Sequence, residues 1–426
     1  MSLVETDIGT IAPGWKVVPL KDVAEKPQYG LTAKAAKSGD TRFLRITDIT
    51  EHGVNWATVP FCSAPKKKID PCRLKSGDIV FARIGATTGK SYMITEPPDA
   101  VFASYLIRVR AGKALEPGYL IQFFQSRAYW QQVDANKHAN LKKGVNGSIL
   151  SELLLPLPPL PEQKKIAHVL STVQRAIEAQ ERIIETTTEL KKALMHKLFT
   201  GGLRHEPQKQ TEIGPVPESW DVVRCEEVCD TISVGIVVKP SSYYVKEGVP
   251  AFRSQNVRED RIQPEPMVYI SEEANDGPVK KSKLFAGDVL IVRTGYPGTS
   301  CVVPPEFDGS NCIDLIFVRP NKEKLRSHYL SRFFNSDAAK VQVQAGKIGL
   351  AQQHFNVGAV KNTQMPLPRT DQQDEIVSHL ELIDSKHDLA TAKRNALQDL
   401  FRTLLHELMT AKTRVHELNF QAQSRE

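Results

Sequence analysis

The sequence predicts an α+β protein of two pseudo-repeated globular domains joined by two long antiparallel coiled-coil helices. Three observations predict it. After the proline ladder PLPPLP, the stretch EQKKIAHVLSTVQRAIEAQERIIETTTELKKALMHKLF sets Ile166, Leu170, Val173, Leu194 and Leu198 in one phase, the heptad period of a helix that wraps a partner helix. After PLPRTDQQDEI, residues Ile376, Leu380, Ile383, Leu404 and Leu408 answer them, each 210 positions on. A solenoid repeats every 20–50 residues or so, so a repeat this long means two large units, each followed by one helix.

The expected division is 1–160 and 201–370 for the globular units, 161–200 for the first helix, and 371–426 for the second helix with its tail. With 426 residues, 41% hydrophobic and 25% charged, the chain has the composition of an ordinary globular protein with room for several cores. No uncharged apolar run reaches the roughly 18 residues that a membrane span needs. The first residues, MSLVETDIGT, lack the basic and apolar parts of a signal peptide, so the expected location is cytoplasmic, with no membrane partner. Cys62, Cys72, Cys225, Cys229, Cys301 and Cys312 form no C-x-x-C pair and have no His at zinc spacing, which favours reduced structural thiols and no metal. Residues 1–160 hold 21 Lys+Arg against 14 Asp+Glu, and residues 200–370 hold 21 against 20. A surplus of that size is what a solvated surface carries, and alone it does not establish a nucleic-acid partner.

Both units open alike, with TDIGTIAPGW (6–15) and TEIGPVPESW (211–220), which read as packed lead-in segments, each with one Trp. FLRITDI (43–49) and AFRSQNV (251–257) alternate as short strands do and share an arginine, Arg45 or Arg253. RLKSGDIVFARIGATTGKS (73–91) faces KLFAGDVLIVRTGYPGTS (283–300), each a Gly-Asp turn, a β-branched strand and an Arg-x-Gly loop. Asp78 and Asp288 are expected to cap those turns. The loop Gly85-Ala-Thr-Thr-Gly89-Lys90-Ser91 is one residue short of a phosphate-cradling P-loop, and Gly295-Tyr-Pro-Gly298-Thr-Ser has no lysine, so nucleotide hydrolysis does not follow. LIRVR (106–110) and LIFVR (315–319) read as strands, and YLIQFFQS (119–126) and YLSRFFNS (329–336) as amphipathic helices with aromatic core stripes. KHANLKKGVNGSI (137–149) and AGKIGLAQQHFNV (345–357) are basic, glycine-rich and without period, as loops are. Pro161 suits the first turn of one long helix, and Thr370-x-x-Gln373 suits a capping box on the other. The first is expected to stop at Gly201-Gly202, and the second to fray past Ala411-Lys412 toward Arg425.

Several chemistries are missing. The sequence has no cofactor-binding glycine motif, no Asn/Asp-Pro-Pro-aromatic element, no helicase motif, no H-E-x-x-H and no G-x-S-x-G. A recogniser without a catalytic centre fits this, and so does a coiled-coil scaffold or adaptor that holds two partner-binding domains without DNA. A recogniser needs basic loops gathered to face one groove, which an adaptor does not.

The element PLPPLPEQKKIAHVL with its echo PLPRTDQQDEIVSHL, the run ELKKALMHKLFTGGLR and the two Gly-Asp-strand-Arg-x-Gly segments resemble the DNA-specificity subunit of type I restriction-modification systems. The resemblance covers essentially the whole chain, departing at Asp371 and Gln372, where the first copy has Pro161 and Glu162, and at the plainer ending LHELMTAK. It implies that each globular unit is a target-recognition domain reading half of a split, asymmetric site on double-stranded DNA. The helices would set the spacer and dock two modification subunits, with two restriction subunits completing the complex. Catalysis would belong to those partners, which would hold S-adenosylmethionine, ATP and Mg, leaving this chain no cofactor of its own. Base edges call for Arg, Lys, Asn or Gln, and phosphates for Lys and Arg. The candidates are therefore Arg45, Arg83, Lys90, Lys142 and Lys143 in the first domain, and Arg253, Gln255, Arg293, Tyr296, Lys347 and Gln352 in the second.

Polar interruptions of the heptad stripe decide how the helices pair. In a parallel pair, Gln180, Thr187, Lys191, His387 and Arg394 would each face an apolar residue. Reversed and flush, Gln180 meets Arg394, Thr187 meets His387, Ile177 meets Leu397, Ile184 meets Ala390 and Val173 meets Phe401, with only Lys191 against Ile383 unmatched. A buried polar group without a partner costs about 1–3 kcal/mol, so the antiparallel register is expected.

Overall fold

The computed structural model describes residues 4–6, 8–50, 53–85, 87–139, 145–204, 206–345 and 355–415. Two compact units divide the chain: residues 1–182 with 391–426, and residues 183–390.

In the first unit, strand Ile79–Ala82 runs between Ser91–Met93 and Leu106–Val109, and Gln28–Tyr29 extends the sheet at its far edge. All four residues of Ile79–Ala82 are buried, as a β-branched central strand requires. A second sheet sets Thr41–Leu44 parallel to Ala100–Phe102 and antiparallel to Phe61–Cys62. Helix Pro117–Phe123 brings Tyr119 and Phe123 into the core, where Phe124 stacks edge-on against Phe81. Trp15 is buried too, and its indole N–H donates to Glu162 (3.1 Å), which also accepts from Arg414 (2.9 Å).

The second unit repeats this plan. Val289–Val292 lies between Ser300–Val302 and Leu315–Pro320, with Cys229–Val234 at the edge. Val249–Phe252 pairs in parallel with Asn311–Cys312. Helix Ser327–Asn335 buries Tyr329, Phe333 and Phe334. Asp78 and Asp288 cap their turns by accepting from the N–H of Lys75 (2.8 Å) and Phe285 (2.9 Å). Each also takes a two-pronged ion pair, from Arg110 or Arg319, so its second role is to bind the turn to the neighbouring strand.

The strands containing Arg45 and Arg253 are shorter than expected. They end at Leu44 and Phe252, because the N–H of each arginine donates to a side chain three residues on, Asp48 (2.8 Å) or Asn256 (3.0 Å), which starts a 3-10 turn. The segments expected as loops throughout are partly helical. Helices Arg127–Ala139 and Asp337–Ala345 run into them, and Gly147–Glu152 and Val357–Asn362 leave them under Asn146 and Asn356 caps.

The long helices are Leu160–Gly201 and Thr370–Met409. The first ends where expected, at a left-handed Gly202 (φ 64°). Beyond Met409 the second gives way to turn, and the tail toward Arg425 lies outside the described residues. The capping box at Thr370 does not form. Gln373 is fully buried and turned into its globular unit, where it accepts from the N–H of Arg326 (2.8 Å) and donates to the carbonyls of Lys324 (2.9 Å) and Pro368 (2.8 Å). Gln163 does the same with Glu116, Ala114 and Pro158.

The helix pairing is antiparallel within each unit. In the first, Ile166 and Leu170, near the start of one helix, share a buried cluster with Leu405, Leu408 and Met409 near the end of the other. In the second, Met195, Leu198 and Phe199 share one with Ile376, Val377 and Leu380. Every residue of the expected stripe is buried or half-buried: Ile166, Leu170, Val173, Ile177, Gln180, Ile184, Thr187, Leu194 and Leu198 on one helix, and Ile376, Leu380, Ile383, His387, Arg394, Leu397, Phe401, Leu404 and Leu408 on the other.

Three of the polar groups expected to meet make their hydrogen bonds within their own helix. The Thr187 hydroxyl bonds back to the Ile183 carbonyl (2.7 Å), Arg394 donates to Asn395 (2.9 Å), and His387 lies 3.4 Å from Asp388. A threonine inside a helix reaches its own preceding turn more easily than a partner helix. Lys191 is not unmatched either. Its flexible stem carries the ammonium past Ile383 to Asp384 (2.8 Å) and Asp260 (3.3 Å), both of which also accept from Arg332 (2.6 Å each). The corresponding positions of the first unit carry a neutral contact, Gln122 to Gln174 (3.1 Å).

Two outcomes are expected. Gln163→Ala removes three buried hydrogen bonds and strands their partners, so it should cost about 1–3 kcal/mol or more, read by denaturant unfolding. Burial pushes the Asp384 carboxyl up, but hydrogen bonds from Lys191 and Arg332 and their charges outweigh it and hold the group below its ordinary value. Its stabilising contribution is therefore present above the unfolded carboxylate pKa, about 4, and is lost as pH falls through the lower folded value. Unfolding of Asp384→Asn followed against pH should show less acid sensitivity in that window than the unaltered chain.

Candidate nucleic-acid interface

In each unit the Arg-x-Gly loop is held against the helix that precedes the polar segment, Arg127–Ala139 or Asp337–Ala345. Glycines make the loop possible: Gly85, Gly89, Gly295 and Gly298 all have φ between 83° and 90°, a region that side chains with a Cβ seldom adopt. Tyr129 donates to the Gly89 carbonyl (2.7 Å), and a Cβ at Gly89 would come within 3.3 Å of the Trp130 ring. A Cβ at Gly298 would come within 3.0 Å of Val343. Within the polar segments, Val145 donates its N–H to the carbonyl of Arg83 (3.2 Å), and Phe355 donates to that of Arg293 (3.3 Å). The two parts that the sequence marks as candidates therefore meet at one arginine in each unit.

The candidates differ in their surroundings. Arg83 is half-buried, with its guanidinium 5.1 Å above the Tyr29 ring. Lys90 is exposed. Arg293 is paired with Asp314 (2.5 Å), and Tyr296, 84% exposed, projects from the same loop. Gln255 is exposed and donates to the Pro266 carbonyl (3.2 Å), while Arg253 is half-buried beside it. Arg45 is held by Asp48 (2.7 Å), whose hydrogen bond raises the arginine pKa further. It lines an open cleft of about 520 Å³ with Lys37 and Arg42, the latter stacked 4.0 Å over Phe61. Arg83 is not part of that lining. Lys142, Lys143, Lys347 and Gln352 lie outside the described residues.

Four residues that matter here went unnoticed in the sequence: Tyr29, Tyr105, Asp314 and Arg42. Nothing in their local pattern distinguishes them, since each reaches the arginine or the cleft through sheet pairing between distant strands. Among the described residues, no group of His, Cys, Asp and Glu could hold a metal ion, and no helix is long and apolar enough to cross a membrane. All six cysteines are free thiols.

The profile of the family described as "Type I restriction modification DNA specificity domain" matches residues 13–188 and 217–399. A Methanocaldococcus jannaschii protein whose name carries the words type I restriction enzyme MjaX specificity subunit is 29% identical, over 96% of each chain. The type I restriction enzyme EcoKI specificity subunit of Escherichia coli K12 is 23% identical, over 88% of this chain and 82% of its own. Among solved structures, the type I restriction-modification S subunit from M. genitalium aligns with a TM-score of 0.59 at 14% identity, over 93% of this chain and 96% of that one, a likeness of fold.

The loop geometry carries its own expectation. Gly89→Ala would force an unfavourable φ and a tight contact with Trp130, at a cost of about 1–3 kcal/mol. Faster proteolytic nicking near residues 84–90, with the rest of the chain intact, is the readout.

Proposed function

The chain belongs to the DNA specificity family of type I restriction-modification systems, and from that premise we propose that it is a non-catalytic subunit in which each globular unit reads one half of a bipartite, asymmetric DNA site. One observation carries the reading. Two units with matching buried scaffolds, down to Asp78 and Asp288, Tyr119 and Tyr329, and Gln163 and Gln373, hold an arginine at the same place in a glycine loop and surround it with different side chains. A shared scaffold with unlike contact groups suits a target with two unlike halves.

Methyl transfer and cleavage then belong to partners: two modification subunits docked on the helices, and two restriction subunits in the full complex. S-adenosylmethionine, ATP and Mg are expected on those partners, with no cofactor or metal on this chain. The helices act as a ruler. At 42 and 40 residues they are about 60 Å long, enough to span one DNA turn of about 34 Å and most of a second between major-groove sites. The contact residues are drawn from the loop arginines together with Lys90, Lys142, Lys143, Gln255, Tyr296, Lys347 and Gln352, with Arg45 and Arg253 at the ends of their strands.

Sequencing the methylated bases of a host with and without this gene tests the reading: a split methylation motif present only with the gene supports it, and an unchanged methylome overturns it. Exchanging residues 16–155 for those of a relative should change one half of the motif alone. Inserting four residues near Thr187, about 6 Å of helix, should alter the spacer and leave both halves as they were.

A further inference from the structure

The loop arginines of the two units occupy equivalent backbone positions. Ala82 pairs with Leu106 in one sheet and Val292 with Leu315 in the other, and Arg83 and Arg293 follow directly. Two changes in the neighbouring strands alter what each guanidinium meets. The edge strand places Tyr29 opposite Ile107 in the first unit and Val234 opposite Ile316 in the second. The turn that leads into the third strand is Ser104-Tyr105 in the first unit, and in the second it is Asp314 alone, with a left-handed φ of 50°.

The consequences are opposite. Arg83 donates its backbone N–H to the Tyr105 carbonyl (3.1 Å) and lays its guanidinium over Tyr29. The Tyr29 hydroxyl is fixed in turn by the N–H of Gly147 (3.0 Å). No carboxylate pairs with Arg83 among the described residues, while Ile84 and Tyr105 stand exposed beside it. Its guanidinium is thus placed by a cation–π contact but keeps its donors. Arg293 gives a donor to Asp314 at 2.5 Å and, among the described residues, has no aromatic ring beneath it, and the exposed group of its loop is Tyr296.

Resting on the DNA-recognition reading, we propose that Arg83 is a specificity-determining residue that reads a guanine in one half-site, whereas Asp314 withholds Arg293 from that role and leaves Tyr296 as the contact group of the second loop. A guanidinium fork matches the O6 and N7 acceptors of guanine in the major groove, the commonest specific contact an arginine makes. The contact with Tyr29 restrains the side chain before DNA arrives, which reduces the ordering cost of the contact. A fork whose donor is taken by a carboxylate presents less net charge and fewer free donors to a base edge. An exposed tyrosine offers a ring for apolar contact instead.

The test uses the assembled modification complex, with methylated motifs determined in cells and binding measured on DNA duplexes carrying single-base changes. Arg83→Lys keeps the charge but loses the fork. It should make one guanine of one half-site degenerate, lowering discrimination there roughly tenfold or more, with the other half-site unchanged. Asp314→Asn removes the charge while keeping a side chain that tolerates left-handed backbone, and should alter base preference at one position of the second half-site only. If Arg83→Lys leaves the motif intact, or weakens binding evenly on all sequences, Arg83 is a phosphate contact and the assignment is overturned. If Asp314→Asn leaves the second half-site unchanged, the withholding role is overturned. A complex with the unaltered chain that shows no sequence preference at all tells against DNA recognition itself, and so separates that failure from this one.

Discussion

The direction in which each long helix leaves its globular unit rests on one buried glutamine. Gln163 and Gln373 are wholly enclosed, and an enclosed amide must find partners for both its oxygen and its nitrogen. Each finds them on the N–H that begins a core helix and on carbonyls of two flanking segments, one of them the proline ladder. Three pieces of backbone are therefore tied to the first turn of the long helix. Tyr119 and Tyr329 reinforce the arrangement by donating to the carbonyls of Pro156 and Pro366, in the strands that feed those ladders (2.8 Å each). Rotating the helix would break several buried bonds at once, so the orientation of the apolar stripe follows from a polar contact rather than from the stripe itself.

That division of labour explains what could be read in advance. Heptad spacing and the 210-residue repeat depend on residue type alone, and they were sufficient for two units and two long helices. Counting polar mismatches gave the right direction, and the hydrogen bonds of Thr187, His387 and Arg394 stay on their own helices. Thr187 turns back on its own helix, and Lys191 joins a cluster with Asp260, Arg332 and Asp384. Of these, only Asp384 lies on the facing helix. Asp260 and Arg332 come from the globular part of the second unit, and nothing in a heptad count can see them.

The surroundings of the candidate arginines were illegible for the same reason. Gly-Asp-strand-Arg-x-Gly is a local pattern and points to Arg83 and Arg293 without help. Whether an arginine is stacked, free or neutralised depends on strands some tens of residues away in sequence, and on whether one turn has two residues or one. Nothing in the local sequence marks Asp314, and only the sheet places it beside Arg293.

The positions that agree between the units and those that do not follow a physical rule. Gln132 and Gln342 each bridge both hydrogen-bonding groups of one backbone residue, Leu154 or Gln364, at the start of strands Leu154–Leu157 and Gln364–Leu367. Like the buried glutamines and the capped turns, they cannot change singly without leaving a polar group unsatisfied, and so both units keep them. Arg332 with Asp384 in one unit and Gln122 with Gln174 in the other show the same constraint at the level of a pair: the contact changes in kind, and both members change together. Around the loop arginines the constraint is absent. Water can satisfy an exposed Tyr105 or Tyr296, so these positions are free to differ, and they lie where a difference alters the chemistry presented to a ligand.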